Sequence, residues 1–302
     1  MPTSRPEAAI VPTPQPAPPG KLLRLAVPNK GSLSQSATDI LREAGYRQRT
    51  DAKQLALTDV ENGVEFFYLR PRDIAVYVGE GTLDVGITGR DLLLDSGAKA
   101  EEVVTLGFGR SRFHFAAPPG TAHGVADLAG KRIATSYAGV VRRHLEQHGV
   151  EAVVTRLDGA VETSVQLGVA DVIADVVETG STMRQAGLEV FGEPILESEA
   201  VLITRAGIEQ PAGFTVFRRR LEGVLVARAY VMMDYDIHTD QVEQAVTLTP
   251  GIESPTVSPL HREGWVAVRS MVRRDEAQRV MDSLYDLGAR GILSTDIHAC
   301  RL

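Results

Sequence analysis

The fold is decided by residues 162–183, which read Glu-Thr-Ser-Val-Gln-Leu-Gly-Val-Ala-Asp-Val-Ile-Ala-Asp-Val-Val-Glu-Thr-Gly-Ser-Thr-Met. The apolar, β-branched run 172–177, which only Asp175 interrupts, predicts a buried strand. Residues 179–182 follow at once, and a helix can begin at Met183. A strand that feeds a Thr/Gly/Ser turn at a helix N-terminus presents free N–H groups and hydroxyls, which favour a phosphate.

Two residues of this stretch suggest a ligand site. Gly180 allows the backbone to approach an anion without a Cβ in the way. Asp175 lies at the carboxyl end of its strand, where an open α/β sheet binds its ligands, and suits sugar hydroxyls or a metal. Taken alone, the tetrapeptide 179–182 is equally consistent with an ordinary turn and helix cap.

Composition limits the class of protein. The 302 residues are 43% apolar and 24% charged, which is ordinary for a globular protein of two or three domains. A net charge of −7 argues against a general nucleic-acid binder, and no apolar run predicts a membrane span. The single cysteine, Cys300, argues against a disulfide framework and fits a reducing cytoplasm. The Pro-rich residues 1–20 are expected to form a disordered tail.

A strand, a glycine loop and a helix open the ordered chain. Residues 22–27 predict a strand, and the following Pro-Asn-Lys-Gly-Ser loop carries Lys30. Ser32 or Ser34 is expected to cap the next helix. The pattern fits an anion site, although an isolated loop lysine is more often simply solvated.

Two further strands end in cationic loops. Residues 64–69 predict a strand followed by Arg70 and Arg72, two planar cations suited to phosphate oxygens. A charged surface loop explains this pair nearly as well. The strand–Gly–helix pattern returns near Arg90 and Asp91, which direct polar chemistry at the same sheet edge.

The strand pattern restarts after residue 110 and predicts two α/β lobes. Residues 21–110 and 199–222 are expected to form the first lobe, and 111–198 the second. A strand at 200–204 would return to the first lobe, so that two crossings join the lobes and the cleft can close. This plan resembles type II periplasmic binding proteins.

The last part of the chain predicts a separate module. Residues 223–302 read as βαββαβ, the order of a ferredoxin-like domain, with the first strand expected at 224–234. The triplet 218–220, Arg-Arg-Arg, is expected on a solvated helix face before it.

The central stretch resembles the signature of the ATP phosphoribosyltransferases of histidine biosynthesis. That signature has a Glu, a Gly six residues later, an Asp that ends the strand, Thr-Gly-x-Thr, and Leu or Met. Glu162, Gly168, Asp175, residues 179–182 and Met183 match it in order. The resemblance covers residues 21–302 and includes the ferredoxin-like (ACT-like) C-terminal domain of the long form.

The resemblance implies a glycosyltransferase (pentosyltransferase) that joins the phosphoribosyl group of phosphoribosyl pyrophosphate to N1 of ATP and releases pyrophosphate. It further implies Mg²⁺ held mainly through substrate phosphates, feedback inhibition by histidine, a cytoplasmic location, and a homo-oligomer that runs from dimer to hexamer. Neither a nucleic acid nor a membrane is expected as a partner.

The resemblance also implies the site residues. The contacts expected for phosphoribosyl pyrophosphate are Glu162, Asp175, Glu178, Thr179, Gly180, Ser181 and Thr182. The contacts expected for ATP are Lys30, Arg70, Arg72, Arg90 and Asp91. The catalytic residues expected are Asp175, Lys30 and Arg70. Carboxylates and hydroxyls at strand ends suit histidine, although ordinary turn residues fit as well, and the candidates are Asp236, Ser254, Thr256 and Thr295.

Two other functions stay open. One is a two-lobed small-molecule receptor fused to an amino-acid sensor, without catalysis. The other is a phosphoribosyltransferase for a free base, which usually has paired acids before the phosphate loop, whereas Ala174 precedes Asp175 here. The chain has no P-loop, no dinucleotide fingerprint and no Gly-x-Ser-x-Gly elbow.

Overall fold

The computed structural model describes residues 21–177 and 181–301, which contain three sheets. The strands are β1 (Leu23–Pro28), β2 (Ala56–Asp59), β3 (Val64–Leu69), β4 (Val85–Gly89), β5 (Ala100–Thr105), β6 (Ser111–Ala117), β7 (Arg132–Thr135), β8 (Val153–Arg156), β9 (Val172–Val177), β10 (Glu189–Ser198), β11 (Ala200–Arg205), β12 (Tyr230–His238), β13 (Thr256–Pro259), β14 (Trp265–Arg273) and β15 (Arg290–Asp296). The helices are α1 (Ser32–Glu43), α2 (Pro71–Gly79), α3 (Arg90–Ser96), α4 (Ala138–Gln147), α5 (Thr163–Gln166), α6 (Ser181–Gln185), α7 (Phe214–Ala229), α8 (Val242–Leu248) and α9 (Ala277–Asp286).

The first sheet has the order β2-β3-β1-β4-β11-β5. Its central strands β3, β1 and β4 run parallel, so the loops that follow them meet at one edge. β11 runs antiparallel between β4 and β5. The chain thus returns to the first sheet at residues 200–205, after it has formed the second sheet. The chain therefore crosses twice between this sheet and the next one.

The second sheet has the order β10-β6-β9-β7-β8. β7 runs parallel to β8 and β9, whereas β6 runs antiparallel to β9 and β10. α4 packs on one face through Val140, Val141 and Leu145, and α6 packs on the other through Met183. The strand ends of the two sheets face each other across a cleft.

The third sheet has the order β13-β14-β12-β15 and is antiparallel throughout. One face carries Val231, Met233 and Tyr235 and is covered by α8 and α9. The chain order βαββαβ agrees with the ferredoxin-like prediction. The predicted fold class, two α/β lobes followed by this domain, is confirmed.

Three local predictions were wrong. Residues 224–229 belong to α7, not to a strand, because Phe217, Leu221 and Val224 recur at helical spacing and bury one helix face. α1 is capped by Gly31, whose φ of 79° disfavours other residues, and not by Ser32 or Ser34.

The third wrong prediction concerns the arginine triplet at residues 218–220. The arginine triplet was expected to be solvated, but Arg220 donates a 2.6 Å hydrogen bond to Asn62 and lies 5.1 Å from the ring centre of Tyr46. Arg218 pairs with Glu222 on the same helix, as a solvated face would. Only part of the triplet therefore faces solvent.

Within residues 21–177 and 181–301, no helix combines the length and the apolar content that crossing a bilayer requires.

Candidate active site

A cleft of about 300 Å³ separates the two lobes. The loops after β1, β3 and β4 form one wall and contribute Lys30, Pro71 and Asp91. The loops after β7 and β9 form the other wall, where Tyr137 and Asp175 lie. The structure thus brings together Lys30, Asp91 and Asp175, which the sequence predicted from separate motifs, because the strand ends of the first sheet and those of the second sheet line the same cleft.

Asp175 is partly buried and has one hydrogen-bond partner among residues 21–177 and 181–301. Its Oδ1 accepts a 2.7 Å hydrogen bond from the N–H of Val176, the next residue. Burial raises the pKa of the Asp175 carboxyl; the Val176 N–H opposes this shift, and the nearby charge of Glu162 adds to it. A carboxylate with free lone pairs at the mouth of a cleft suits sugar hydroxyls or a cation.

His114 lies opposite Asp175 on the adjacent strand β6. Its Nδ1 is buried and has no hydrogen-bond partner within the described part of the chain. Burial lowers the pKa of His114, and Arg112 lowers it further, while Glu193 acts in the opposite direction. The ring is therefore neutral at pH 7. Sequence analysis missed this residue because only strand register places it beside Asp175.

Asp91 is held in place by the protein. Its side chain is only 8% exposed, and Oδ1 accepts hydrogen bonds from Ser198 Oγ at 3.0 Å and from the N–H of Leu92 at 2.9 Å. The N–H of Asp91 in turn donates to Ser198 Oγ. A Cβ on Gly89 would collide with Asp91 Oδ1, so a side chain at position 89 would displace this carboxylate. Ser198 ends β10, so the second lobe helps to hold this first-lobe carboxylate.

Tyr137 is the main cleft residue that sequence analysis missed. Burial raises the pKa of its phenol, and Asp91 raises it further, so the hydroxyl stays protonated. The ring packs edge-on to Phe113 with centres 5.2 Å apart. The sequence did contain a signal for Tyr137, because this residue lies just after strand β7, as Lys30 lies just after strand β1.

The predicted cations are used in two different ways. Lys30 is exposed on the cleft wall, and Arg70 is exposed beside it at the start of α2. Arg72 donates to Asp95 at 3.0 Å and to the carbonyl of Ser136 at 2.9 Å. The structure therefore leaves two of these cations on the surface and gives Arg72 protein partners.

Arg90 is also committed to the protein. It donates through Nε and Nη2 to both carboxylate oxygens of Glu102 at 2.8 Å, and Glu199 lies 3.6 Å away. These acids raise the pKa of Arg90. A bidentate pair of this kind holds the guanidinium in one orientation. Arg90 lies at the crossing between lobes and not on the wall that carries Asp175.

A second hollow of about 770 Å³ adjoins the cleft at the crossing strands. It contains Arg110 and Arg112, with Glu197 and Glu199 between them. Arg112 Nε lies 3.2 Å from Glu197 in a well-exposed pair. Val177, the residue before the phosphate-loop stretch, lines this hollow too. Sequence analysis did not select these arginines, since they belong to no motif.

Much of the predicted phosphoribosyl site lies outside the described residues. Glu178, Thr179 and Gly180 fall there, as does the side chain of Ser181. Thr182 is exposed in α6, and Glu162 precedes α5. Within the described ranges, no three His, Cys, Asp or Glu residues cluster as a metal site.

The predicted histidine contacts are spread over the third sheet. Thr256 is exposed on β13 and Thr295 on β15, which are opposite edges of the four-stranded sheet. Three strand spacings place them about 14 Å apart, too far to hold one small ligand together within a single domain. Asp236 lies on the open face, near Gly291, and Ser254 is exposed in the loop before β13.

Comparison with known proteins finds two family models. The model described as "ATP phosphoribosyltransferase" matches residues 70–223, and "HisG, C-terminal domain" matches 227–299. An ATP phosphoribosyltransferase of Streptomyces avermitilis is 65% identical over 93% of this chain and 100% of its own length, and one of Streptomyces coelicolor has the same identity and coverage. A chain of the Thermotoga maritima ATP phosphoribosyl transferase (HisG:HisZ) complex matches 68% of this chain and 98% of its own, with 26% identity and a TM-score of 0.59.

Proposed function

The chain belongs to the ATP phosphoribosyltransferase family, and from this premise we propose that the cleft between its lobes carries out the family's reaction. In that reaction N1 of ATP attacks the anomeric carbon of phosphoribosyl pyrophosphate. The C–N bond forms, the bond to the pyrophosphate oxygen breaks with its electron pair leaving on pyrophosphate, and phosphoribosyl-ATP results. This is the first step of histidine biosynthesis.

The observation that carries the proposal is that one cleft is lined by the partly buried carboxylate of Asp175 and, on the other lobe, by the exposed Lys30. Positive charge builds on the ribose ring as pyrophosphate departs, and Asp175 offers an anion to hold the hydroxyls and stabilise that charge. The charge of Glu162 contributes to the raised pKa of the Asp175 carboxyl. The raised pKa of Asp175 also makes its oxygens better hydrogen-bond acceptors.

The first lobe supplies the charge for the phosphates. Lys30 faces the cleft, and Arg70 begins the adjacent helix with its side chain exposed. We assign these two cations to the pyrophosphate and to the ATP phosphates. Mg²⁺ bound through the substrate phosphates supplies further neutralisation of the leaving group. Asp91 and Asp175, carboxylates on opposite walls, are the residues with oxygens suited to that ion.

Arg72 and Arg90 receive a different assignment from their sequence prediction. Both guanidinium groups already donate to carboxylates of the protein, so direct ATP binding would cost these ion pairs. We assign them to the walls of the site. Asp91 accepts hydrogen bonds from Ser198 and Leu92 and interacts with the Tyr137 hydroxyl, and we assign its position on the cleft wall to the nucleotide side of the site.

No general base is assigned. Adenine N1 carries a free lone pair, so the attack needs no proton removal, and positioning supplies most of the rate. The protonated Tyr137, which lines the cleft, serves as a hydrogen-bond partner beside the reacting groups. The segment 179–182 is assigned to the 5′-phosphate on the basis of its sequence alone.

The division of the chain follows the same proposal. Residues 21–110 and 199–222 form the nucleotide lobe, 111–198 the phosphoribosyl lobe and 223–302 the regulatory part, with α7 continuing from the first lobe to Ala229. We further propose a cytoplasmic homo-oligomer that histidine inhibits through the third domain. The matched Thermotoga chain comes from a HisG:HisZ complex, which supports assembly of this fold into larger particles.

The decisive experiment mixes the protein with ATP, phosphoribosyl pyrophosphate and Mg²⁺ and follows the ultraviolet absorbance of the adduct. Formation of the adduct with stoichiometric pyrophosphate release supports the proposal. Tight binding of ATP without any adduct would instead indicate the receptor function, and reaction with free adenine would indicate the free-base enzyme.

Histidine inhibition is tested on the full chain with Asp236→Ala. Asp236 lies on the open face of the regulatory sheet, and its removal is expected to weaken inhibition about tenfold while activity without histidine is unchanged. The control is Asp286→Asn, at the end of α9 away from that face. Inhibition as strong as in the wild type would remove Asp236 from the histidine site.

A further inference from the structure

The lobes make a second polar contact away from the chain crossings. Asp95, in α3 of the first lobe, has a side chain that is 4% exposed. Its Oδ1 accepts a 2.8 Å hydrogen bond from the N–H of Gly139 in the second lobe. Its Oδ2 accepts one from Arg72 at 3.0 Å, and Arg156 of the second lobe lies 3.8 Å away. A buried carboxylate thus has donors from both lobes.

Close approach makes this contact dependent on Gly139. A Cβ built there would lie 2.4 Å from the backbone oxygen of Asp95, which no side chain tolerates. Gly139 lies in the first turn of α4, where free N–H groups and the helix dipole favour an anion. Arg143, one turn later, donates to the carbonyl of Leu94 at 2.9 Å and so adds a second bond between α4 and α3.

The same contact reaches the active-site cleft through Arg72. The Nη1 that binds Asp95 also donates to the carbonyl of Ser136, at 2.9 Å, in the second lobe. The guanidinium lies 5.2 Å from the ring centre of Tyr137, the next residue, which lines the cleft. The chain of contacts Asp95–Arg72–Tyr137 therefore joins a buried carboxylate outside the cleft to a wall of the cleft.

We infer that Asp95 is a positioning residue that locks the second lobe onto the first and holds Tyr137 in its place on the cleft wall. It touches no substrate; it acts through Arg72 and the N-terminus of α4. Loss of the carboxylate leaves Arg72 with the Ser136 carbonyl alone as acceptor and the N–H of Gly139 unsatisfied, so the lobes open about their two chain crossings. The inference rests on the proposed function only for its kinetic consequence.

The opening of the two lobes is tested by a distance measurement that does not depend on enzyme activity. Cys300 is the single cysteine of the chain, so Cys300→Ser permits spin labels at Glu80→Cys in the first lobe and Glu146→Cys on α4. Both positions are exposed. Pulsed electron resonance is expected to show one narrow distance in this background and a longer, broader one once Asp95→Ala is added. Glu101→Gln, an exposed acid of the first lobe, is the control. An unchanged distance with Asp95→Ala would overturn the inference.

The kinetic part separates positioning from mere stability. Asp95→Ala is expected to raise KM for both substrates about tenfold with kcat changed far less, because only the population of closed enzyme falls. Gly139→Ala is expected to do the same, and the double variant to be no worse than either, since both break one contact. Asp95→Asn, which keeps the acceptor for Gly139, is expected to recover part of the loss.

Two results would contradict the kinetic part. An unchanged KM with kcat reduced in proportion to the folded fraction would mean that Asp95 only stabilises the fold. Additive effects of the Asp95 and Gly139 substitutions would mean that they do not share a contact. If Asp95→Ala fails to fold, Asp95→Asn and Gly139→Ala answer both questions. An inactive wild type with the expected spin-label distances would count against the proposed function and not against the lock.

Discussion

Asp91 and Asp175 face the same cleft from opposite lobes, yet the protein treats them differently. Asp91 is 8% exposed and receives hydrogen bonds from Ser198 and Leu92. Asp175 receives one from its own neighbouring peptide, and burial raises the pKa of its carboxyl. The first carboxylate is satisfied by the protein, whereas the residues that the structure describes leave the second with lone pairs for a ligand.

This difference distinguishes a carboxylate that the protein holds in place, Asp91, from one that is suited to bind a ligand, Asp175. A partly buried carboxylate that lines a cleft and uses one lone pair on a neighbouring N–H is suited to accept hydrogen bonds from a ligand. The wall that carries Asp91 is built in advance by contacts from both lobes. The wall that carries Asp175 leads into residues 178–180, which lie outside the described part of the chain. Each prediction below tests one side of this contrast.

The largest effect is expected from Asp175→Asn. The amide keeps the size of the side chain but removes the negative charge that stabilises the ribose in the transition state, so kcat/KM should fall at least about 100-fold. Steady-state kinetics at saturating ATP measure the change, and circular dichroism checks the fold. Wild-type kinetics would remove Asp175 from the chemistry.

Asp91→Ala is expected to affect stability first. Its removal leaves Ser198 Oγ and the N–H of Leu92 without an acceptor in a buried place, which should lower the free energy of unfolding by about 1–3 kcal/mol. Urea denaturation measures the change, and Asp73→Asn, an exposed acid on α2, serves as the control. A free energy within about 0.3 kcal/mol of wild type would contradict the contrast.

Lys30→Met tests the exposed cation opposite Asp175. The substitution should raise KM for ATP and for phosphoribosyl pyrophosphate about tenfold, because the charge of Lys30 is expected to act on their phosphates. The free energy of unfolding should change little, because Lys30 is exposed. Lys53→Met, in an exposed loop of the same lobe, is the matched control. Equal behaviour of the two variants would show that the charge at position 30 is not used.

The smallest effect is a gain in stability from Asp175→Asn, which depends on pH. The folded pKa of Asp175 is raised above 3.8, so its ionised form destabilises the folded state at neutral pH. The variant should therefore unfold at higher urea at pH 7, and the gain should vanish below about pH 4, where the wild-type carboxyl is protonated in both states. The pH dependence of unfolding is compared with that of Asp91→Asn. If the gain in stability of Asp175→Asn did not change with pH, it would come from packing and not from the removed charge.

Several features were readable from the chain before the structure. The Lys30 loop, the Asp175 strand and the βαββαβ order of the third domain appeared because local patterns of apolar and turn residues specify them. The helical identity of residues 224–229 was not readable in this way, because the apolar Val-Leu-Val at 224–226 is consistent with a strand locally. Burial of Phe217 and Leu221 on one face decided it.

The sequence by itself determined the strands that end near Lys30, Arg70, Arg90 and Asp175, and therefore most of the polar residues that could gather at the cleft. Only the tertiary structure decided how each of them is used. Tyr137 joined the site, while Arg72 and Arg90 turned away to Asp95 and Glu102. The reason is that local pattern depends on neighbours in the chain, whereas ion pairing and burial depend on groups brought together from distant parts of it.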